Sequence, residues 1–117
     1  MPQRLKTPKL LCAYRIMWLF AMFDLPMKTR EQRREYSRFR KQLLQLGFSQ
    51  MQFSVYARHC PDEERMRAHA SSVHRILPPE GEVRILGVTD RQFGRMQTFL
   101  GAKSKPPQEA PRQLMLF

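Results

Sequence analysis

One carboxylate in the sequence stands where metal chemistry is plausible. Asp24 directly follows the apolar run Ile16 to Phe23, and Pro26 ends that run, so Asp24 lies where a strand opens into a loop. Two copies facing each other across a two-fold axis would bring two such carboxylates together, a setting suited to Mg²⁺, which takes oxygen ligands and keeps several waters. Such a metal lowers the pKa of a bound water and stabilises charge on a phosphate. The alternative is that Asp24 only forms an Asx-turn before Leu25.

Basic side chains dominate one side of the segment that follows Asp24. On a helix, those at positions 30, 34, 38 and 41 fall within roughly 80° of each other. Guanidinium groups suit phosphate oxygens and position a nucleic-acid backbone without reading its bases. Glu31 and Glu35 do not offset all of this charge, which favours phosphate contact over an ordinary solvated face with i to i+4 pairing. The predicted contact residues are Arg30, Arg33, Arg34 and Arg38, with Arg58 as an extension of the same basic surface.

The remaining reactive side chains do not form a recognised catalytic or metal-binding pattern. Tyr56 either stacks on a base or, as we favour, belongs to a sheet or interface. Ser54 has no neighbouring base in the sequence that would activate it as a nucleophile. The spacing of His59, Cys60, His69 and His74 is not that of a zinc site. The two cysteines, Cys12 and Cys60, are far apart in the sequence, which suits a reducing compartment.

Length and charge indicate one basic domain. With 117 residues, of which 42% are hydrophobic, the chain has room for a single core. Its net charge of +11 attracts polyanions, and nucleic acid is the commonest such partner because binding releases condensed counterions. The longest apolar run, Ile16 to Phe23, is far shorter than the roughly twenty residues that span a bilayer. We therefore expect a cytoplasmic protein with no membrane contact.

The pattern of apolar residues predicts an α+β domain of four strands and two helices. Thr29 and Gln32 form a capping-box motif at the start of the first helix, and Gly47 follows its end. The predicted strands are Ile16–Phe23, Phe48–Arg58, Glu82–Val88 and Met96–Leu100, and the predicted helices are 29–46 and 61–77. Within Phe48–Arg58, we expect Met51, Phe53 and Val55 to point one way and Gln52, Ser54 and Tyr56 the other.

We assign these elements to a ferredoxin-like βαββαβ domain, in which two helices cover one face of a four-stranded sheet. The first strand is apolar on both faces, so the other face needs a cover, and a second copy in a C2 homodimer is the simplest one. The expected divisions are an N-terminal extension at 1–14, the ferredoxin-like domain at 15–100, and a linker and C-terminal strand at 101–117.

Several local features together resemble one protein family. They occur in a specific order and spacing: Phe23-Asp24-Leu25-Pro26, Arg33-Arg34-Glu35-Tyr36, Gly47-Phe48, Gln52-Phe53-Ser54-Val55-Tyr56 and Gln113-Leu114-Met115-Leu116-Phe117. This set resembles the CRISPR-associated endoribonuclease family, the second CRISPR-associated protein, and is most similar to versions from type II systems. The resemblance covers about residues 15 to 117.

The resemblance implies a fold, a chemistry and partners. The family fold is a ferredoxin-like homodimer whose C-terminal segment adds a strand at the dimer interface. Family members are described as metal-dependent phosphodiesterases acting on RNA or DNA, and their metal-binding Asp falls on Asp24. Their role in CRISPR adaptation is to bridge two integrase dimers during spacer acquisition, a role in which nuclease chemistry is not required. The resemblance thus implies DNA, an integrase subunit and Mg²⁺ as partners.

Two alternatives remain open at this stage. Residues Gln113 to Phe117 either form the docking strand or act as a linear motif, because Gln-Leu-x-Leu-Phe resembles the pentapeptide that binds the bacterial sliding clamp. The function is either that of the CRISPR adaptor and endonuclease, or that of a ferredoxin-like ribonuclease toxin or a plain RNA-binding module. The RNA-binding module is disfavoured because the third predicted strand carries no RNP1-type octapeptide.

Overall fold

The computed structural model of the chain describes residues 15 to 104. Within this range the backbone forms a mixed α+β domain of six strands and three helices. Their bounds are β1 Met17–Asp24, α1 Arg30–Gln45, β2 Ser49–Gln52, β3 Val55–Cys60, α2 Glu63–Arg75, β4 Glu82–Thr89, α3 Asp90–Gly94, β5 Phe99–Leu100 and β6 Lys103–Ser104.

The first four strands form one antiparallel sheet in the order β2-β3-β1-β4. β1 is therefore interior, with β3 on one side and β4 on the other, and the chain passes through β1, α1, β2, β3, α2 and β4 in turn. This order and connectivity are those of the split βαβ unit, so the predicted ferredoxin-like βαββαβ fold is confirmed.

The first helix begins where the sequence predicts. The Thr29 hydroxyl accepts a hydrogen bond from the Gln32 N–H at 3.0 Å, and the Gln32 side chain accepts one from the Thr29 N–H, which completes the capping box of α1. The second helix is shorter at both ends than the predicted 61–77, because Asp62 caps its start and it ends at Arg75, so Leu77 lies beyond it and is exposed. Among residues 15 to 104, no helix is long and apolar enough to cross a membrane.

The segment Phe48–Arg58 differs from the prediction, because it contains two strands instead of one. β2 and β3 form a hairpin whose turn contains Phe53 and Ser54, and the ladder shifts register between Gln50 and Gln52. Ser54 has φ of +67°, in the left-handed region that disfavours side chains with a Cβ atom. The predicted alternation is interrupted at this turn. Phe53 is 70% exposed, and Tyr56 is fully buried.

The predicted strand Met96–Leu100 is also corrected. Only Phe99–Leu100 is extended, and it pairs with Lys103–Ser104 in a separate two-stranded sheet, so the fourth strand of the main sheet is Glu82–Thr89. The predicted linker therefore begins with a short hairpin. The N-terminal extension and the C-terminal strand lie outside the described residues, so their assignments stay predictions.

The two faces of β1 are covered by different elements. Residues such as Leu19 and Phe23 face the main core beneath α1 and α2. On the opposite face, Trp18 and Phe20 pack with Phe93 of α3, and the Trp18 and Phe93 rings are stacked with centroids 3.9 Å apart. The indole N–H of Trp18 donates to the Asp90 carboxylate at 2.7 Å. The chain therefore covers one end of this second face itself, and a second copy would need to cover only the rest of it.

We predict that Phe93→Ala destabilises the protein by about 3–5 kcal/mol, because it empties the site against the Trp18 ring and loosens α3. Urea unfolding followed by circular dichroism measures this difference.

The matched control is Phe53→Ala, which removes the same ring from a position that is 70% exposed and should cost less than about 1 kcal/mol. Equal effects of the two substitutions would contradict the assignment of Phe93 to the core.

Candidate functional site

Asp24 ends β1 and its side chain is exposed at one end of the sheet. In the β1–β4 ladder it is directly opposite Glu82, and residues directly opposite in an antiparallel pair lie on the same face with Cβ atoms about 4.5–5.5 Å apart. The Asp24 carboxylate accepts no hydrogen bond from the described residues, so the structure does not show the Asx-turn that the sequence left open. Asp24 is therefore available to a ligand from solvent.

The residues around Asp24 determine which metal the site suits. Glu82 has an ion pair with Arg84 at 3.3 Å, and residues 15 to 104 contain no group of three or more His, Cys, Asp or Glu side chains that could hold a metal ion. One chain thus offers one or two carboxylate ligands. This donor set suits Mg²⁺, which is commonly held by one or two carboxylates together with waters and substrate phosphates, and is too small for a structural zinc site.

The exposed side of α1 carries arginines of two kinds. Arg30 and Arg34 are exposed and make no hydrogen bond or ion pair with the described residues. Arg33 is also exposed, but its guanidinium donates to the carbonyls of Met27 and Lys28 at 3.2 and 2.9 Å. Arg33 therefore holds the loop between Asp24 and α1.

Arg38 differs from the other predicted contact residues, because its charge is largely offset. Its guanidinium lies 2.7 Å from the Glu35 carboxylate and donates to the Gln42 side chain at 2.6 Å. Both partners lie on the flank of α1 that carries Glu31. Arg38 therefore lies at the boundary of the basic surface.

Arg58 has a structural role at the other end of α1. Its Nη1 donates to the carbonyl of Leu46 at 2.8 Å, at the helix C-terminus. The guanidinium lies over Gly47, where an added Cβ would sit 1.6 Å from Nη1 and where φ is +92°. Arg58 therefore caps α1 from the helix-covered side of the sheet, away from the exposed arginines of the helix.

Arg40 and Tyr36 are two residues near the site that the sequence analysis did not select. Tyr36 donates to or accepts from the Ser54 hydroxyl at 3.1 Å, and on a helix Arg40 lies one turn beyond Tyr36 on the flank that faces the β2–β3 hairpin. Burial raises the pKa of the Tyr56 phenol, and the positive charge of Arg40 opposes part of that rise. The helical period alone could have placed Arg40 beside Tyr36, but the proximity of the hairpin depends on the fold.

The opposite flank of α1 is acidic. Glu31 and Glu35 line a cavity of about 360 Å³ together with Glu80 of the loop before β4, and Gln32 donates to Glu80 at 2.9 Å. The charges of α1 are therefore divided, with carboxylates towards this loop and guanidinium groups towards solvent and the β2–β3 hairpin.

The Cys60 thiol is buried, and the His69 imidazole is half-buried. Burial raises the pKa of the Cys60 thiol to about 11, which favours the protonated, less reactive thiol at neutral pH. Burial, together with the charges of Arg58 and Arg65, lowers the pKa of His69. Within residues 15 to 104, neither side chain belongs to a group of three or more His, Cys, Asp or Glu residues that could hold a metal ion.

The fold and the site define a class of protein: a small, strongly basic ferredoxin-like domain with an exposed carboxylate at the end of its interior strand and an arginine-rich helix that follows this strand in the chain. The sequence profile of the family described as "CRISPR associated protein Cas2" matches residues 17–96, which is more than half of the chain.

Curated relatives support the same assignment. A CRISPR-associated endoribonuclease Cas2 from Parvibaculum lavamentivorans is 48% identical over 101 residues, covering 86% of this chain and 100% of the relative. Proteins of the same name from Flavobacterium psychrophilum and Paracidovorax avenae are each 41% identical, over 89% and 92% of this chain and 90% and 100% of the relatives. The chain belongs to the Cas2 family, as the motifs in its sequence indicate.

We predict that Arg58→Ala lowers the free energy of unfolding by about 1–3 kcal/mol, because it removes a charged hydrogen bond and leaves the Leu46 carbonyl without that donor. Arg34→Ala, which removes the same group from an exposed position, should change stability by less than about 0.5 kcal/mol.

Chemical denaturation of the two variants under identical conditions provides the comparison. If Arg34→Ala were the more destabilising substitution, the assignment of Arg58 as the cap of α1 would be incorrect.

Proposed function

We propose that this chain is a cytoplasmic CRISPR adaptation protein that binds nucleic acid, bridges integrase dimers during spacer acquisition, and has a Mg²⁺-dependent endonuclease site at Asp24. Family membership supports the CRISPR role, and the name of its relatives, endoribonuclease, supports the nuclease chemistry. The observation that carries the proposal is the position of Asp24, which is exposed at the edge of the partly open apolar sheet face and precedes the arginine-rich helix α1 in the chain.

The basic surface of α1 provides the nucleic-acid contact in this proposal. Arg30, Arg34 and Lys41 are exposed on one side of the helix, and Arg33 joins them near Asp24. Such contacts position a phosphate backbone without reading sequence, so the protein should accept DNA and RNA of varied sequence, with affinity that falls steeply as salt concentration rises.

The uncovered part of the second sheet face supports a homodimer. Beyond the end covered by Phe93, this face and the β5 hairpin line an open apolar groove of about 770 Å³. Several of its large side chains are exposed, namely Leu86, Met96, Phe99 and Leu100. Contiguous exposed apolar surface of this kind marks an interaction site.

The position of Asp24 relative to this groove links dimer formation to chemistry. Phe20, Met22 and Asp24 are every second residue of β1, so their side chains lie on the same, open face of the sheet. In a C2 dimer built on this face, each copy contributes its own Asp24 near the interface. The metal site then gains a second carboxylate that one chain alone does not supply.

The chemistry follows from the ligands that the chain offers. A Mg²⁺ ion bound there would supply a more acidic water and charge stabilisation at the phosphate. Asp24 would ligate it, and Arg30 and Arg33, in the first turn of the helix that follows, would orient the phosphate oxygens. The bridging role does not require this chemistry, and the predicted docking strand or clamp motif at Gln113 to Phe117 lies outside the described residues.

We predict that Asp24→Ala abolishes Mg²⁺-dependent cleavage of single-stranded RNA, because it removes the metal-binding carboxylate that each copy contributes. Binding of duplex DNA and co-purification with the integrase subunit should persist, since both depend on other surfaces. A gel cleavage assay with and without EDTA and a pull-down measure the two outcomes.

Glu82→Gln is the control for this substitution, because it neutralises the carboxylate opposite Asp24 and should reduce cleavage less. Wild-type protein that cleaves neither RNA nor DNA with Mg²⁺ would remove the enzymatic part of the proposal, and loss of integrase binding in Asp24→Ala would contradict the separation of the two roles.

We predict that Leu86→Asp converts the dimer to a monomer, because it places a charge in the centre of the open apolar face. Sedimentation velocity should give the mass of two chains for the wild type and of one chain for the variant. Leu44→Asp is the matched control, since Leu44 is 40% exposed on α1 and Leu86 is 51% exposed on the open face. A wild-type protein that sediments as a monomer at all concentrations would contradict the dimer.

A further inference from the structure

Phe53, in the turn between β2 and β3, is a large aromatic side chain that is mostly exposed to solvent. It is 70% exposed in the turn between β2 and β3, and water contact with an aromatic ring is unfavourable. The next residue, Ser54, has φ of +67°, a conformation that costs free energy for any residue other than glycine. The turn thus combines backbone strain with an exposed ring, and features of this kind cluster at functional sites.

The ring of Phe53 packs on a side chain of α1. It stacks on Tyr36 with centroids 5.8 Å apart and an interplanar angle of 19°. Tyr36 is itself buried, and its hydroxyl is hydrogen bonded to Ser54 at 3.1 Å. One side of the Phe53 ring therefore contacts Tyr36, while most of its surface faces solvent and is open to a flat ligand.

Two cationic residues lie on the flank of α1 that carries Tyr36, the residue on which Phe53 packs. Arg33 and Arg40 lie three residues before and four residues after Tyr36, which places them on the same flank of α1, one turn to either side. Both are exposed. The turn also adjoins the end of β1, because the N–H of Phe23, the residue before Asp24, donates to the Ser54 carbonyl at 3.1 Å.

We propose that Phe53 is a stacking platform for an unpaired nucleobase, and that Arg33 and Arg40 contact the flanking phosphates of the same strand. This inference rests on the proposed nucleic-acid function and specifies its substrate class as single-stranded nucleic acid or a frayed duplex end. Bases inside a duplex already stack on each other, so only an unpaired base can pack on the ring. Aromatic stacking of this kind tolerates any base.

The position of Phe53 separates this role from dimer contact. Phe53 packs on Tyr36, which belongs to the helix-covered core, whereas the open apolar groove lies on the opposite face of the sheet. Phe53 does not itself line the groove, whereas Gln52 and Val55 on either side of the turn do, so the test below includes a measurement of contact between copies.

The test compares wild type, Phe53→Leu and Phe53→Trp by fluorescence anisotropy with short labelled single strands of RNA and DNA and with the matching blunt duplexes. We expect Phe53→Leu, which keeps an apolar side chain, to bind single strands about tenfold more weakly and duplexes with unchanged affinity. Phe53→Trp should retain affinity, and its indole emission should be quenched by single strands only. Leu77→Ala, which changes an exposed apolar residue beyond α2, controls for surface effects.

The outcomes that would contradict the platform can be distinguished from those that would contradict nucleic-acid binding. Unchanged single-strand affinity in Phe53→Leu, or an equal loss for duplexes, overturns the platform while leaving nucleic-acid binding in place. A change in the sedimentation of Phe53→Leu reassigns the residue to contact between copies and also overturns the platform. Wild-type protein that binds no nucleic acid at low salt overturns the proposed function and the platform together.

Discussion

The structure depends on one constraint, which is that β1 is an interior strand with apolar side chains on both of its faces. Its backbone is paired on both edges, by β3 and by β4, so only the side chains remain to be covered. α1 and α2 bury one face completely, whereas α3 reaches only the Trp18 end of the other. The sheet therefore has one face that is covered by helices and one face that is partly exposed, and the Asp24 carboxylate lies at the edge of the exposed part.

The three sides of helix α1 face three different environments. Its buried stripe packs on the sheet, its acidic flank lines a cavity with the loop before β4, and its remaining side carries the exposed guanidinium groups. α1 carries six basic and two acidic residues, and the helix geometry places the two kinds of charge on different sides. A positive surface on the helix that follows the exposed carboxylate suits a phosphodiester, which is what the proposed function uses.

The errors in the prediction have a common origin. The β2–β3 turn was missed because Phe53 and Ser54 include none of the Gly, Asn or Asp residues that usually mark a two-residue hairpin, and the turn is held by contacts to Tyr36 and Phe23 that are distant in sequence. The assignment of Phe99–Leu100 to the main sheet was wrong for a related reason. A two-residue strand has too little pattern to indicate its partner, and its partner is β6.

The sequence by itself determined the apolar interior strand, the capped amphipathic helix and the carboxylate at the strand end, whereas the β2–β3 hairpin and the place of Glu82–Thr89 as the fourth strand of the main sheet came from the tertiary structure. The first three features follow from short-range periodicity and chain order, which the backbone geometry of helices and strands imposes directly. Only the tertiary structure decided that Arg58 caps a helix, that Arg38 pairs with Glu35, that Phe53 packs on Tyr36, and that α3 covers Trp18. The physical reason is that the exposure and the partners of a side chain depend on residues brought close from elsewhere in the chain, and no local pattern encodes those distances.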